Sequence, residues 1–112
     1  MIFAAISCLK NLLMDTGVVK MVYVMAKVKV ENYDKWKPVF DERKSLRKEA
    51  GSKEGILYRN TQNSKELIIF FEWENMEKAE EFFTSESLQK ALKKGGAELI
   101  ETNYLEEIEK AT

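Results

Sequence analysis

Two arginines on one predicted helix are the residues whose type and spacing most clearly point to chemistry. Arg43 and Arg47 are four positions apart, and both fall in the middle of that helix's apolar stripe. A charge in an apolar stripe is costly unless a partner neutralises it. The pair therefore indicates a cationic lining for a pocket that holds an anionic or phenolate-like ligand. The alternative is that both side chains extend to the helix edge or pair with a structural carboxylate.

Aromatic and amide side chains make up a second candidate set. The aromatic members could share the helix-facing side of a sheet and hold a flat ligand by stacking, although core packing is the commoner role of any one of them. The hydroxyl of Tyr58 needs a partner if it is buried. Asn60 alternates onto the same strand face, so its amide could reach a ligand, or it could belong to a turn. The aromatic members are Trp36, Tyr58, Phe71 and Trp73.

The residue types that are missing from the sequence narrow the chemistry. There is no histidine, which removes the commonest metal ligand, the usual acid–base group at neutral pH and a proximal ligand for haem. The one cysteine, Cys8, cannot form an internal disulfide or a zinc cluster, and a reducing, cytoplasmic location fits best. We therefore expect no metal and no cofactor, so that any reaction relies on other side chains or on the ligand's own reactivity.

Length and composition are those of one small folded domain. The chain has 112 residues, of which 45% are hydrophobic and 33% charged, which fits a globular protein with a thin core. A net charge of −1 gives no electrostatic reason to expect binding to nucleic acid or to a membrane. The sequence has no glycine-rich phosphate loop and no nucleophile elbow.

The predicted strands follow from residues that alternate between apolar and polar. Alternation over residues 22–30 predicts a first strand. Residues 56–60 and 67–73 predict a hairpin, because the intervening residues 61–64 are typical of a turn. A last strand is expected over about residues 98–107.

The predicted helices follow from apolar residues at helical spacing between capping residues. The first helix is expected to begin after an N-cap at Asn32 and to end at Gly51. The second is expected to begin after Asn75, with an interruption near Ser85 and Ser87. The order β-α-β-β-α-β predicts an α+β, ferredoxin-like fold, an antiparallel sheet with two helices on one face. The apolar stripe of the first helix is Trp36, Val39, Phe40, Leu46 and Ala50.

The third strand has apolar side chains on both faces, which indicates a dimer. Two helices cover only one face of a four-stranded sheet, so Ile68 and Phe70 would be left in water on the other. Burying one such side chain stabilises a protein by about 1.5–3 kcal/mol, and soluble monomers seldom expose a patch of them. We expect a homodimer formed through this face. The alternative is that the N-terminal segment folds over it.

The first twenty residues differ from the rest. We expect residues 1–20 to be an N-terminal extension and residues 21–112 to be the folded domain. The apolar run at the start is too short to span a bilayer, and it lacks the features of a secretory signal. The extension is expected to be poorly ordered, or else to form an appended helix broken by Gly17.

Several segments of the chain resemble a family of small dimeric α+β-barrel proteins, the antibiotic-biosynthesis-monooxygenase-like group, some members of which carry a "cyclase" label. The resemblance covers about residues 22–107, so the N-terminal extension lies outside it. The segments are VENYDKWKPVFD at 30–41, IIFFEWEN at 68–75 followed by MEKA at 76–79, FFTSESL at 82–88 and the glycine pair at 95–96.

The resemblance implies an assembly and a chemistry. Two sheets would pack face to face into a barrel at the dimer interface, and each subunit would hold a pocket between its sheet and its helices. The better understood relatives oxidise phenolic or quinol-like aromatics with molecular oxygen and without metal or flavin. Other relatives degrade haem, isomerise small acids or have no known activity, since a fold does not fix a function.

The first functional hypothesis is therefore a cofactor-free monooxygenase-like protein that binds a small aromatic, phenolic or quinol ligand. Arg43 and Tyr58 would be the catalytic residues that stabilise the ligand's anion, and Arg47 would bind the ligand. The alternative is a non-enzymatic dimer that stores, senses or carries a small hydrophobic acid. A haem-degrading relative is a third hypothesis, which the absence of histidine disfavours. The other expected binding residues are Trp36, Asn60, Phe71 and Trp73.

Overall fold

The elements of the structure follow the predicted order, with each predicted helix divided into two. The computed structural model describes residues 21–111, so the expected N-terminal extension, residues 1–20, lies outside the described residues. The elements are β1 (Val22–Val30), α1 (Tyr33–Glu42), α2 (Lys44–Ala50), β2 (Ser52–Asn60), β3 (Asn63–Trp73), α3 (Met76–Phe83), α4 (Glu86–Lys94) and β4 (Ala97–Leu105).

The four strands form one antiparallel sheet in the order β2-β3-β1-β4. The two strands with the most apolar residues, β1 and β3, lie in the middle, where both of their edges are paired. The helices cover one face of the sheet, and the residues buried there alternate along β1 and β3, as a period of two requires. This is the ferredoxin-like α+β fold that the sequence predicted. The buried sheet residues are Val24, Ala26, Val28, Val30, Leu67, Ile69, Phe71 and Trp73.

Side-chain caps begin the helices where the sequence predicted them. The Oδ1 atom of Asn32 accepts hydrogen bonds from the backbone N–H groups of Asp34 and Lys35, at 2.9 and 3.3 Å. The Oδ1 atom of Asn75 accepts one from Lys78 N at 2.8 Å. Each cap satisfies a backbone donor that has no partner within its helix.

The prediction of one continuous first helix was wrong, because the helical hydrogen bonding is interrupted at Arg43. The Arg43 backbone has φ −94° and ψ 5°, and its N–H donates to Phe40 O at 3.3 Å, only three residues back. A new helix, α2, begins at Lys44 and ends at Ala50, and the next residue, Gly51, has a φ of 126° that suits glycine. The apolar spacing continues through the break, so the sequence pattern does not reveal it. Leu46, predicted to lie in the apolar stripe, is exposed.

The predicted interruption of the second helix is confirmed. α3 ends at Phe83, and α4 begins after Ser85, whose hydroxyl oxygen accepts a hydrogen bond from Leu88 N at 3.2 Å. The Thr84 hydroxyl donates to Glu80 O at 2.8 Å. Hydroxyl groups at this point satisfy the ends of both helices, which lets the chain turn between them.

The hairpin is longer than predicted at both ends of its strands. β2 begins at Ser52 rather than at residue 56, and the turn is reduced to Thr61 and Gln62. The turn is short because the Oδ1 atom of Asn60 accepts a hydrogen bond from Gln62 N at 2.8 Å. Gly55 lies within β2, directly opposite Phe71 of β3.

The sheet face away from the helices, which we name the open face, carries several large apolar side chains. Ile56, Tyr58 and Phe70 have 56%, 49% and 40% of their surface exposed. The predicted position of Ile68 and Phe70 on this face is confirmed, because both alternate with buried residues along β3.

No helix among residues 21–111 is long and apolar enough to cross a membrane.

Candidate functional site

A cavity of about 50 Å³ lies between the sheet and the helices. This central cavity is lined by residues from β1, β3, β4 and all four helices. Its described lining is apolar apart from two side chains, Arg43 and Arg47, which are the pair that the sequence singled out. The volume is far below the roughly 300–1,000 Å³ of most small-molecule sites. The cavity as it stands therefore accommodates only a small group.

Arg47 is the one charged residue that is buried among residues 21–111, with 9% of its surface exposed. Its Nη1 donates a hydrogen bond to Phe40 O at 2.9 Å. Its guanidinium carbon lies 4.0 Å from the centre of the Phe40 ring and 5.8 Å from that of Phe71. Aromatic faces stabilise a cation by their negative potential but leave its charge unneutralised. Among the described residues, the carboxylates that form ion pairs do so with lysines and not with Arg47.

The surroundings of Arg47 disfavour its charge. Burial is the largest cause and the nearby Arg43 the second, and together they lower the pKa of Arg47 to about 10, although Asp41 acts in the opposite direction. The side chain still carries its proton at neutral pH. A buried cation without an ionic partner is stabilised when an anion binds beside it.

Arg43 lies at the rim of the central cavity and joins the α1–α2 break to α4. Its Nη1 donates to the Ser87 hydroxyl oxygen at 3.0 Å, and its guanidinium carbon lies 5.4 Å from the centre of the Phe82 ring. Partial burial lowers its pKa. Both arginines have an aromatic neighbour, but Arg43 is half-exposed and donates to a side-chain hydroxyl, whereas Arg47 is buried and donates only to a backbone carbonyl among the described residues. Of the two, Arg47 is the better placed to meet a ligand.

Two of the predicted aromatic residues line the central cavity. Trp36 stacks on Phe40 with ring centres 4.7 Å apart and an angle of 26° between the rings. Phe71 lies on the sheet side, 6.4 Å from Phe40 and 5.6 Å from Phe83 between ring centres. These rings and the Arg47 guanidinium surround the space in which a flat group would bind.

Trp73 belongs to the core rather than to the central cavity. It is fully buried and packs against Phe82 and Phe83, with ring centres 5.1 and 5.6 Å away. Its indole Nε1 has no hydrogen-bond partner among the described residues. The prediction that Trp73 shares the helix-facing side of the sheet is confirmed, but it does not line the described cavity.

The prediction that Tyr58 faces the helices was wrong. Tyr58 pairs with Ile68 across the hairpin and therefore lies on the open face, where its ring meets Phe70 edge-on at 6.0 Å. The sequence gives no sign of this, because Ile56 and Tyr58 suit an apolar environment on either face. The register decides it, since the pairing of Leu57 with Ile69 turns Leu57 towards the helices.

Asn60 is the last residue of β2, and its side chain holds the hairpin turn, which is close to the second of the two roles that the sequence left open. Its amide Nδ2 donates to Glu66 Oε1 at 2.5 Å, and its Oδ1 accepts from Gln62 N. Both hydrogen bonds tie the amide to the hairpin, at a distance from the lining of the central cavity. The structure thus brings together Trp36, Arg43, Arg47 and Phe71, and it separates them from Tyr58, Asn60 and Trp73.

A second cavity, which sequence reasoning missed, lies on the other side of Arg47. This side cavity has a volume of about 220 Å³ and is situated between α2 and β2. Phe40, Arg47, Ile69 and Phe71 line both cavities, so the stacked Phe40 and Arg47 side chains separate them. The available signal was the spacing of Lys44, Arg47 and Lys48, three and then one residue apart, which puts these cations on one helical face.

Chemically, the arrangement can bind a flat ring and stabilise a negative charge on it. The described lining of the central cavity includes no carboxylate and no tyrosine. The site is therefore built to favour an anion rather than to transfer a proton through several side chains.

The fold of this chain is similar to that of solved structures of other small proteins. A candidate antibiotic biosynthesis monooxygenase from Bordetella bronchiseptica is 16% identical with a TM-score of 0.65, covering 80% of this chain and 98% of its own. SnoaB, a cofactor-independent oxygenase from Streptomyces nogalater, is 9% identical with a TM-score of 0.67, covering 81% of this chain and 96% of its own. At these identities the likeness concerns the fold alone.

The family assignment comes from the sequence itself. A search of curated proteins finds no match to this chain. The sequence profile of the antibiotic biosynthesis monooxygenase family matches residues 21–94, which include β1, the hairpin, all four helices and both arginines of the central cavity. This chain belongs to the antibiotic biosynthesis monooxygenase family.

Proposed function

We propose that the protein is a cofactor-free monooxygenase that binds a small phenol or quinol in the central cavity and stabilises its anion with Arg47. The observation that carries the proposal is the buried guanidinium of Arg47, which lies against aromatic rings without an ionic partner among the described residues. Membership of the monooxygenase family supports the reaction type. The fold likeness to SnoaB, itself a cofactor-independent oxygenase, is consistent with it.

The reaction would depend on the electron richness of the substrate's own anion. The positive charge of Arg47 lowers the pKa of a bound phenol, so that more of it is present as phenolate. The phenolate supplies the electrons that molecular oxygen accepts. One oxygen atom becomes a ring carbonyl and the other leaves as water, so a phenol and one oxygen molecule yield a quinone. Electrostatic stabilisation of the anion is the protein's main contribution.

The remaining residues would hold and shield the ring. Trp36 and Phe71 offer faces for stacking, and Arg43 closes the rim through its hydrogen bond to Ser87. Because the cavity measures only about 50 Å³, a substrate larger than one small ring requires the Arg47 and Phe40 side chains to move apart. Tyr58 has no part in this proposal, since it lies on the open face.

Oxygen uptake with a series of hydroquinones and naphthohydroquinones tests the proposal. We expect the wild-type protein to consume oxygen without added metal or flavin, and Arg47→Met to lower kcat/KM by at least about 100-fold, as loss of one electrostatic stabiliser does in other enzymes. Lys90→Met, a change of the same type on the exposed side of α4, should leave the rate unchanged. A fully active Arg47→Met variant would contradict the assigned role.

A non-enzymatic binding protein is the second candidate, favoured by one observation. The described lining of the central cavity lacks a side chain that accepts a proton at neutral pH, so a ligand could bind there without reacting. In that case calorimetry would detect binding of aromatic anions that depends on Arg47, while no oxygen is consumed with any hydroquinone tested.

We also propose that two copies assemble through the open face. The exposed Ile56, Tyr58 and Phe70 form a patch on a sheet whose other face is already covered by helices. Burying side chains of this size stabilises an interface by about 1.5–3 kcal/mol each, and a twofold dimer lets one patch cover its own copy. Dimerisation would leave the central cavity, which lies on the opposite face, accessible in both protomers.

A further inference from the structure

We propose that the side cavity binds the carboxylate of an aromatic acid whose ring occupies the central cavity. The inference rests on the proposed function, because it assigns the second half of the same ligand. It concerns the space between α2 and β2, which has about four times the volume of the central cavity, 220 against 50 Å³.

The two cavities are adjacent and have one cation in common. Phe40 and Arg47 line both of them, with the guanidinium carbon only 4.0 Å from the ring centre. A ligand that places a ring on one side of this pair and a short acidic arm on the other would contact Arg47 twice. The guanidinium is planar and binds carboxylates through two parallel hydrogen bonds, a geometry that a phenolate oxygen cannot match.

Hydrogen-bonding capacity remains on Arg47. Its single hydrogen bond to a described residue is the one to Phe40 O, although the side chain is more than nine-tenths buried. A guanidinium has further N–H donors in a fixed fork. The other N–H groups of Arg47 are not sealed from solvent, because Trp73 Nε1 is the one fully buried side-chain polar atom without a partner among the described residues. An acceptor on a ligand can therefore reach them.

The charges around the side cavity favour an anion. Lys44, Lys48 and Lys53 line it together with Arg47, and none of the three lysines forms an ion pair among the described residues.

Only two carboxylates oppose these cations, Asp41 and Glu54. Both oxygens of Asp41 are already engaged by Lys37 Nζ, at 2.7 Å each. The local charge is therefore net positive, on a protein whose overall charge is −1.

The floor of the side cavity leaves room for a ligand. Gly55 of β2 lines it, and a Cβ atom at this position would come within 3.0 Å of Phe71 Cδ1. The glycine thus keeps a side chain out of the space where Phe71 and Arg47 meet the cavity.

The ligand class is an aromatic ring that carries a carboxylate on a short arm, and phenylacetate, with a single ring, is a suitable probe. Its amide, phenylacetamide, has the same shape without the charge. We expect calorimetry at pH 7 with the wild-type full chain to give a dissociation constant about tenfold lower for the acid than for the amide. The difference should shrink as salt is added, because the lysines are solvent-exposed.

Two double variants distinguish binding in the side cavity from a general effect of the protein's charge. The double variant Lys44→Gln/Lys48→Gln should weaken binding of the acid about tenfold and that of the amide less than about twofold. Lys90→Gln/Lys93→Gln, on α4 and outside the side cavity, makes the same change in net charge and should leave both affinities unaltered.

Equal affinities for acid and amide, or equal effects of the two double variants, would overturn the proposal. So would an absence of binding of either probe to the wild-type protein. The oxygen-uptake assay with hydroquinones needs no carboxylate, so the proposed function stands or fails there independently of this result.

Discussion

At the scale of single residues, Arg47 differs from the rest of the core in what it contributes to folding. Every other buried residue described is apolar apart from glycine. Arg47 is a cation held by one backbone carbonyl and one aromatic face. Replacing a buried charge by an apolar group of similar length is often neutral or stabilising. We therefore expect the charge of Arg47 to serve ligand binding rather than stability.

We therefore predict that Arg47→Met makes the protein more stable while it removes anion binding. The free energy of unfolding should rise by about 1–2 kcal/mol, measured by urea denaturation. Phe40 O would not be left without a donor, because Arg43 N also donates to it at 3.3 Å. A fall of more than about 1 kcal/mol would instead show that the contacts with Phe40 outweigh the burial of the charge.

At the scale of the elements, the break between α1 and α2 decides which side chains reach the site. The chain leaves the helix at Arg43, which lets that residue turn towards Ser87 of α4. α2 then directs Arg47 to both cavities while its neighbour Leu46 is exposed. Successive helical positions differ by about 100°, so adjacent residues can have opposite environments.

The sequence predicted the elements better than their boundaries, for a physical reason. Strand alternation and the caps at Asn32 and Asn75 are local signals, and all of them are confirmed. The break at Arg43 keeps the apolar spacing intact and therefore leaves no mark in the pattern.

In the candidate site, too, the residues with a local sequence signal were predicted better than those that depend on tertiary structure. Arg43 and Arg47 could be recognised because a charge inside an apolar stripe is a local anomaly. The position of Tyr58 could not, because it depends on the register of β2 against β3, with irregularities near Ser52 and Asn60. A shift of one residue moves every side chain of a strand to the opposite face.

Substitution of Gly55 tests how tightly β2 packs against the Phe71 ring of β3. A Cβ atom would be 3.0 Å from Phe71 Cδ1, closer than normal contact, so Gly55→Ala should displace the ring. We expect the free energy of unfolding to fall by about 1–2 kcal/mol in chemical denaturation. Glu54→Ala, an exposed neighbour on the same strand, is the control. Unchanged stability of Gly55→Ala would mean that Phe71 moves freely.

At the scale of the whole molecule, the two faces of the sheet present different surfaces. The helix-covered face holds the core and both cavities, whereas the open face presents Ile56, Tyr58 and Phe70. The strand period of two makes this division possible, because alternate residues of β3 serve different faces. The proposed assembly and the proposed ligand binding should therefore respond to different substitutions.

Sedimentation velocity tests the proposed assembly. We predict a dimer for the wild-type protein at micromolar concentration and a monomer for Phe70→Lys, because a lysine at the patch centre would be buried without a partner. Gln89→Lys adds the same charge on the exposed side of α4 and should remain a dimer. A monomeric wild-type protein would contradict this part of the proposal.

The placement of the two tryptophans also has an optical consequence. Trp73 is sealed in an apolar interior with its indole N–H unpartnered among the described residues, so its fluorescence should be blue-shifted. Trp36 lies in the wall of the central cavity, within reach of any ring that binds there. An aromatic ligand should quench Trp36 by energy transfer or stacking while the emission maximum of Trp73 stays in place. A fall in intensity at a constant emission maximum would thus report occupancy of the site, whereas a red shift of the maximum would report loosening of the fold.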